Sequence, residues 1–343
     1  MSLTDNPPPS TDTRTAAAPE RQAVWSRYWA QGAEHSCGGS YSGRYGGVIA
    51  GFWHARMAAL PAGTRVLDLA TGNGALPRLL LDACPDAGVV CDAVDLADVR
   101  PAWLASLPQA QRERLRFHGG CAAESLPFGG GRFDLVISQY GLEYSELDRS
   151  LPELLRVLAP GGAVALVLHH NQGRPVQLAA IEIEHILWLL APGGLLETTR
   201  ELLPCLALAA TAEGRAALAK DTRANALRTT FNALQGELKA RAEVGSGDGA
   251  DVLFEARDAS AGLLPLAAQQ GAEAAQTAWL GVQQWLQDSL LRLRELRSHA
   301  LDAERVQAIA KRLAGNGTDL QVGTLREQEH LMGWAVHGRP DRH

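Results

Sequence analysis

A glycine-rich turn beside an acidic residue is the part of this sequence best suited to chemistry. The segment 66–80, VLDLATGNGALPRLL, reads as a short apolar strand, a turn with Gly72 and Gly74, and the start of a helix. Glycine lets the backbone approach a ligand closely, and the helix points its unpaired N–H groups at the same place. This arrangement is typical of a site for a nucleotide-like ligand.

Spacing narrows the class of nucleotide site. A dinucleotide-binding turn needs a third small residue at the start of its helix, and Pro77 stands there, which argues against a nicotinamide cofactor. Asp68 lies inside the first strand, and Asp95 follows the next apolar segment, VVCDAV. A carboxylate at the end of a second strand can accept hydrogen bonds from both hydroxyls of a ribose. The two acids therefore indicate a ribose-bearing cofactor.

Three further segments follow in an order typical of an alternating α/β domain. Residues 115–128 read as a strand running into a loop, and 132–144 as an apolar strand that ends in a polar, aromatic turn. Residues 151–170 read as a helix stopped by Pro-Gly-Gly, followed by another buried strand. With these elements, residues 62–170 resemble the class I S-adenosylmethionine-dependent methyltransferases.

The resemblance implies an α/β fold: a Rossmann-like, seven-stranded sheet that is mostly parallel and ends in an antiparallel hairpin. It also implies S-adenosylmethionine as cofactor, with Asp68 and the turn against its methionine part, Asp95 on the ribose hydroxyls and Leu96 against the adenine. The residues predicted to bind the cofactor are Asp68, Ala70, Thr71, Gly72, Asn73, Gly74, Asp95, Leu96, Cys121, Ala122, Ala123, Glu124, Ser138 and Gln139.

Two positions depart from the family pattern. Ala70 stands where the family often has its first glycine, which is a mild variation. Ala122 stands where many relatives have an aspartate that accepts a hydrogen bond from the adenine amino group. Glu124 or a backbone carbonyl is therefore expected to take that role.

Methyl transfer from a sulfonium is a direct displacement, so the protein has mainly to align the acceptor, the methyl carbon and the sulfur. A base is needed only for an acceptor that is protonated at neutral pH. Candidates lie at the carboxyl ends of strands, where open α/β sheets bind their ligands. The predicted catalytic residues are His169, Glu143 and Tyr140. The competing interpretation of His169 is a hydrogen-bonded structural group.

Residues 21–60 are predicted to form a helical lid over cofactor and substrate. Trp25, Tyr28 and Trp29 fall on one side of a helix, and a glycine-rich loop with two tyrosines follows. The alternative is that the helix aromatics only pack against the sheet. The predicted lid or substrate residues are Tyr28, His35, Tyr41, Tyr45 and His170.

After the fifth strand the sequence becomes rich in alanine and leucine with helical periodicity, and it returns to strand-like segments at 320–325 and 330–338. These strands are expected to complete the sheet, so the helical block is predicted to be an all-helical insertion that caps the substrate site. Its apolar stripe is also a candidate homodimer interface. The predicted organisation has five parts. A disordered tail (1–20) precedes a lid (21–60) and a cofactor-binding core (61–173), and a helical cap (174–300) is followed by a last core helix with the hairpin (301–340).

Composition limits the function classes. The 343 residues carry a net charge of −6 with no dense basic segment, which argues against a nucleic-acid partner. Five cysteines without a CxxC pair favour free thiols in a reducing compartment, and neither zinc nor disulfides are expected. The first twenty residues show no signal-peptide pattern, and no apolar run is long enough to span a membrane. We therefore expect a cytoplasmic protein without a bound metal.

The predicted function is methyl transfer to the oxygen or nitrogen of a small organic acceptor, of the bulky or aromatic kind that a large apolar cap suits. One alternative is a protein methyltransferase that recognises its substrate with the helical block, with RNA a weaker candidate because of the acidic charge. The other is a non-catalytic scaffold that binds S-adenosylmethionine. The sequence leaves the acceptor open.

Overall fold

The computed structural model describes residues 18–36, 44–244, 249–315 and 320–340. The predicted tail as far as residue 17, and Tyr41 of the predicted lid, lie outside these ranges. The described chain forms one seven-stranded sheet with helices on both faces, and a separate group of helices beside it. 

The sheet has the strand order β3-β2-β1-β4-β5-β7-β6. Its strands are β1 (Arg65–Leu69), β2 (Val90–Val94), β3 (Leu115–His118), β4 (Phe133–Gln139), β5 (Leu158–Leu168), β6 (Leu320–Glu327) and β7 (His330–Gly338). The first five are parallel to one another, and β7 runs antiparallel between β5 and β6. The predicted fold class is thus confirmed. The chain direction along the sheet reverses between β1 and β4, which is where open α/β sheets bind ligands.

Helices are present along the whole described chain. They are α1 (Ala18–Ala30), α2 (Gly47–Met57), α3 (Ala75–Ala83), α4 (Gln109–Arg112), α5 (Leu147–Val157), α6 (Arg174–Leu189), α7 (Leu195–Leu208), α8 (Ala212–Leu218), α9 (Thr222–Val244), α10 (Asp251–Gln270), α11 (Ala272–His299) and α12 (Ala303–Ala314). No helix among the described residues is both long enough and apolar enough to cross a lipid bilayer.

Apolar packing covers both faces of the sheet, as parallel strands require. On one face α2 and α3 bury side chains such as Trp53 and Leu80 against β1 and β4. On the other face α5 and α12 bury side chains such as Leu154 and Val306. The strands between these layers are therefore almost continuously apolar, and Asp68 in β1 is an exception that needs a reason.

The helices from α6 to α11 form a region with its own hydrophobic core, centred on residues such as Leu203, Leu253 and Leu286. Trp279 of the predicted apolar stripe is buried in this core and donates its indole N–H to the Leu196 carbonyl at 2.8 Å. Leu286 of the same stripe is also buried in this core, whereas Val282, Trp285 and Leu290 are partly buried against it.

The helical region begins and ends at one place on the sheet. The Leu301 N–H donates to the His169 carbonyl at 2.8 Å, and the Asn171 N–H donates to the Leu301 carbonyl at 3.0 Å. The chain leaves the sheet after β5 and returns beside the same residues. The two ends of the helical region therefore meet at the carboxyl end of β5.

The Pro-Gly-Gly segment at residues 160–162 is one place where the sequence interpretation was wrong. It was expected to be the turn that stops the helix before β5, but α5 ends at Val157 and these residues are part of β5. Between the pairs Phe133–Leu158 and Leu135–Ala163 the ladder shifts register, and Gly161 has φ of 72°. An irregular bulge in the ladder accommodates proline and a left-handed glycine, which a regular central strand does not.

Removal of the C-terminal hairpin is expected to prevent folding. A chain ending at Leu313 lacks β7, whose Met332 and Val336 are buried, and it leaves the edge of β5 unpaired. We expect this truncation to be insoluble, measured as the soluble fraction after expression and by circular dichroism. A chain ending at Pro340 is the control and should fold. A soluble variant ending at Leu313 that unfolds cooperatively would contradict the role given to β7.

Candidate functional site

The turn after β1 requires glycine at two positions. Gly72 and Gly74 have φ of 54° and 78°, in the left-handed region, and α3 begins directly after them. A Cβ atom on Gly72 would lie 2.5 Å from the indole ring of Trp29, and one on Gly74 would lie 2.6 Å from Phe117. Ala70 also has a positive φ of 56°, although it carries a side chain. The turn is therefore held in a conformation that few other sequences adopt.

Asp95 connects this turn to the loop after β2. Its carboxylate accepts hydrogen bonds from the Gly72 N–H at 2.7 Å and from the Ala97 N–H at 2.8 Å, one on each oxygen. Burial raises the pKa of Asp95 to about 6, although these two N–H groups oppose the shift. Each carboxylate oxygen has a second lone pair, so Asp95 can also accept from hydroxyl groups of a ligand.

Asp68 is the most unusual group in the core. Its side chain is buried, and neither carboxylate oxygen has a hydrogen-bond partner among the described residues. Burial raises the pKa of Asp68 to about 8, and the nearby Thr71 hydroxyl, which makes no well-formed hydrogen bond, lowers it by less. A buried carboxylate without a partner is costly. The position is consistent with a site that a cationic group of a ligand completes.

The ends of β1, β2 and β4 open into a cavity with about 990 Å³ of empty space, including the part continuous with solvent. The predicted site residues that line it are His35, Tyr45, Asp68, Ala70, Thr71, Asp95, Leu96, Cys121, Ala123, Glu124, Gln139 and Tyr140. Most of the predicted cofactor residues are thus brought together around one cavity.

Other predicted residues support the cavity from behind. The Asn73 side-chain amide donates to the carbonyls of Trp29 and Ala33, and thereby holds the end of α1 to the turn. The Ser138 hydroxyl donates to the Leu69 carbonyl and joins β4 to β1. Glu124, at the cavity wall, accepts from the Glu146 N–H at 2.7 Å. Ala122 is not among the lining residues.

One wall of the cavity was not among the predicted site residues. It is formed mainly by α1 and by the segment after β4, and the additional lining side chains include Arg21, Gln22, Trp25, Trp29, Glu34, Tyr144 and Ser145. The aromatic stripe on α1 was the available signal in the sequence. It could be interpreted equally as packing against the sheet, and only the structure shows that Trp25 and Trp29 face the cavity.

Helix α11 holds α1 in place through contacts outside the cavity. Arg21 pairs with the buried Glu295 at 2.9 Å, and Arg27 makes two hydrogen bonds to Asp288 at 2.6 and 2.8 Å. The Arg292 guanidinium lies 3.8 Å from the centroid of the Tyr28 ring. Within the described chain, no residue of α6–α11 lines the cavity itself. The helical region therefore supports the cavity wall and does not form it.

The three predicted catalytic residues lie together. Nδ1 of His169 is 2.7 Å from Oε1 of Glu143, which also accepts from the His169 backbone N–H at 2.8 Å. The Tyr140 ring stacks on the His169 ring at a centroid distance of 4.2 Å. Of the three, only Tyr140 lines the cavity, and its hydroxyl donates to the Met332 carbonyl. His169 is separated from the cavity by the Tyr140 ring, so its role as a base stays a prediction.

Some of the remaining predicted lid and substrate residues line the cavity, and others lie outside it. Tyr45 stacks on His35 at 4.4 Å, and both line the cavity. Tyr28 donates to the His35 carbonyl but lies outside the lining. His170 stacks on Trp334 at 4.3 Å, outside the lining as well, and burial lowers its pKa. This placement favours a structural role for His170.

The fit of Trp29 against the turn gives a test of the site's geometry. Gly72→Ala introduces both left-handed strain and a clash with the indole ring, whereas Gly63→Ala, at φ of 74° with no atom within 4 Å of its Cβ, introduces the strain alone. We expect Gly63→Ala to lower the free energy of unfolding by about 1–2 kcal/mol and Gly72→Ala to lower it further. Chemical denaturation measures both. Equal losses would show that Trp29 does not pack on the turn.

Comparison with known proteins agrees with this geometry. The profile of a methyltransferase-domain family matches residues 66–162. A demethylmenaquinone methyltransferase of Thermus thermophilus is 37% identical over 32% of this chain and 50% of its own length. A ubiquinone/menaquinone biosynthesis C-methyltransferase of Nitrosospira multiformis is 32% identical over 42% of this chain and 59% of its own.

A malonyl-[acyl-carrier protein] O-methyltransferase of Geobacter sulfurreducens is 36% identical over 30% of this chain and 38% of its own length. The chain thus spans between about two fifths and three fifths of the length of these relatives. The profile covers the glycine turn and both acids of the cavity. Residues 66–162 thus match a methyltransferase domain, in agreement with the resemblance that the sequence motifs indicate.

Proposed function

We propose that this protein transfers the methyl group of S-adenosylmethionine to a small organic acceptor by direct displacement. The observation that carries the proposal is the buried, unpartnered carboxylate of Asp68, in a cavity that it shares with Asp95 at the reversal point of the sheet. A carboxyl group buried without any hydrogen-bond partner destabilises the fold in either protonation state, so its presence favours a ligand that completes the site.

The residues present fit the cofactor of this class. Asp95 would accept the ribose hydroxyls with the lone pairs that Gly72 and Ala97 leave unused. Asp68 would accept from the ammonium group of the methionine part, which supplies the missing partner. Leu96 and the segment from Cys121 to Glu124 would lie along the adenine. These assignments rest on the burial and hydrogen bonding of the two acids.

Bound S-adenosylmethionine supplies an electrophilic methyl group, and the chain's own residues have to orient the acceptor and exclude water. Helix α1 helps to exclude water, because its Trp25 and Trp29 form one wall of the cavity. The Asn73 amide and the Arg21–Glu295 pair fix that wall. Alignment of reacting groups in an enclosed site is a sufficient source of rate enhancement for a displacement of this kind.

The acceptor is proposed to be a small molecule. Helix α1 forms one wall of the cavity, and the aromatic rings that line it among the described residues include Trp25, Trp29, Tyr45, Tyr140 and Tyr144. Two of the relatives above are named for menaquinone or ubiquinone biosynthesis and one for malonyl-[acyl-carrier protein]. A concave site lined by aromatic rings suits a planar organic acceptor better than a protein or RNA segment, which needs a long open groove.

Label transfer tests the activity. Purified protein is incubated with methyl-labelled S-adenosylmethionine and separated small-molecule, protein and RNA fractions of a bacterial extract. We expect label in the small-molecule fraction, and we expect Asp95→Ala to weaken S-adenosylhomocysteine binding by about 1–3 kcal/mol, the range for charge-assisted hydrogen bonds. The control is Asp98→Ala, a largely exposed acid of the same loop. Label in protein or RNA alone would refute a small-molecule acceptor.

The raised pKa of Asp68 predicts that the protein releases a proton when the cofactor binds. With a pKa of about 8, Asp68 is mostly protonated at pH 7, and a bound ammonium group favours its carboxylate form. Titration of S-adenosylhomocysteine at pH 7, in buffers with different ionisation enthalpies, should show proton release and an affinity that rises between pH 6 and 8.

Asp68→Asn should abolish this proton release and weaken binding. It should also stabilise the free protein at pH 8. Folding raises the pKa of Asp68, so the wild-type free energy of unfolding falls as the pH rises from the ordinary aspartate pKa to about 8, and asparagine does not ionise. Wild-type binding that is independent of buffer would remove the ammonium contact from the proposal.

A further inference from the structure

Gln139 is the last residue of β4, is 8% exposed, and lines the cavity. Its side-chain amide has a defined orientation because the Trp53 indole N–H donates a hydrogen bond to Oε1. An indole N–H can only donate, so the amide oxygen must face Trp53 and the NH₂ group must point the other way. Trp53 is itself completely buried in the core between α2 and the sheet, which fixes the donor.

The NH₂ group of Gln139 has no hydrogen-bond partner within the described ranges, and it is buried. Two neighbouring polar groups are engaged elsewhere: the Ser138 hydroxyl donates to the Leu69 carbonyl, and the Tyr140 N–H donates to the Val167 carbonyl. The Asp68 carboxyl, on the strand paired with β4, makes no hydrogen bond to the Gln139 amide either. A buried donor that stays unsatisfied costs about 1–3 kcal/mol. This donor therefore calls for an acceptor atom that the protein does not supply.

Gln139 was predicted to bind the cofactor, but its place in the sheet separates it from Asp95. Asp95 follows β2, on the far side of β1, whereas Asp68 lies in β1 itself, the strand that pairs with β4. The proposed contacts of Asp68 and Asp95 already use the ammonium and ribose groups of the cofactor. Near Gln139 the cavity wall includes Tyr140, whose ring faces that of Tyr45 at a centroid distance of 6.5 Å.

We propose that Gln139, oriented by Trp53, donates a hydrogen bond to an oxygen atom of the methyl acceptor and thereby selects acceptors that carry a hydroxyl, enolate or carbonyl oxygen over those that carry an amine. The inference rests on the proposed methyltransferase function. An NH₂ donor stabilises a neutral or anionic oxygen, and it offers nothing to an ammonium group. It also bonds only weakly to a neutral arylamine nitrogen, because that nitrogen's lone pair is delocalised into the ring and its N–H groups are donors. Gln139 is thus a specificity-determining residue.

Matched probes that differ at one group test this inference: 1-naphthol, 1-naphthylamine and naphthalene, titrated into protein saturated with S-adenosylhomocysteine. We expect the wild type to bind 1-naphthol at least tenfold more tightly than the other two. Gln139→Glu keeps an oxygen for the Trp53 N–H but replaces the NH₂ donor by an acceptor, so it should abolish the preference. Gln139→Leu, which removes both polar atoms, should abolish it as well.

Gln177→Glu adds the same charge on the exposed surface of α6 and is the control, with the wild-type preference expected. Thermal unfolding reports whether each variant is folded. Either Gln139 variant, if folded, decides the result. The inference is overturned if the wild type shows no preference for 1-naphthol, or if any folded Gln139 variant retains it.

The affinity for S-adenosylhomocysteine distinguishes this inference from the proposed function. We expect the Gln139 variants to bind it within threefold of the wild type. A loss of tenfold or more would show that Gln139 binds the cofactor, and it would overturn the inference while leaving the methyltransferase proposal intact. Failure of the wild type to bind S-adenosylhomocysteine at all would instead reject the proposed function.

Discussion

The hydrogen bond from the Gly72 N–H to the Asp95 carboxylate is the contact on which the cavity depends. It joins the turn after β1 to the loop after β2, and so fixes two neighbouring strand ends at the point where the sheet reverses direction. The turn then presents Gly72 to the Trp29 ring with no room for a side chain. The position of α1, and with it one wall of the cavity, follows from this packing.

The helical region has its effect at a distance. Its helix α11 does not reach the cavity, yet it pairs with α1 through Glu295 and Asp288 and places Arg292 against Tyr28. Glu295 is buried, so loss of Arg21 would leave an uncompensated carboxylate, which is more disruptive than loss of an exposed pair. An insertion of this kind can change the rigidity of a binding site without contributing a single lining residue.

The parts of the fold that were predictable from the sequence are those encoded locally. The glycine turn, the acid after β2 and the C-terminal hairpin each depend on residues that are close together in the chain. The wall formed by α1 was not predictable in the same way, because Arg21 finds Glu295 only through the tertiary fold. The same holds for Gln139, whose amide orientation depends on Trp53 in a different element. The Pro-Gly-Gly segment was predicted to be a turn because proline and glycine usually end an element. In the structure it lies within β5, at a bulge where the ladder shifts register.

The pairing of Arg21 with Glu295 has a consequence for the order of folding. The two residues are separated by 274 positions, and β7 must also enter the sheet between β5 and β6 before the sheet is complete. During synthesis from the N-terminus, β1–β5 emerge while α1 still lacks its partner on α11. The loop-closure entropy of so distant a contact is overcome only once the last third of the chain has emerged. We therefore expect α1 to take its place in the cavity wall late in folding, together with the C-terminal hairpin.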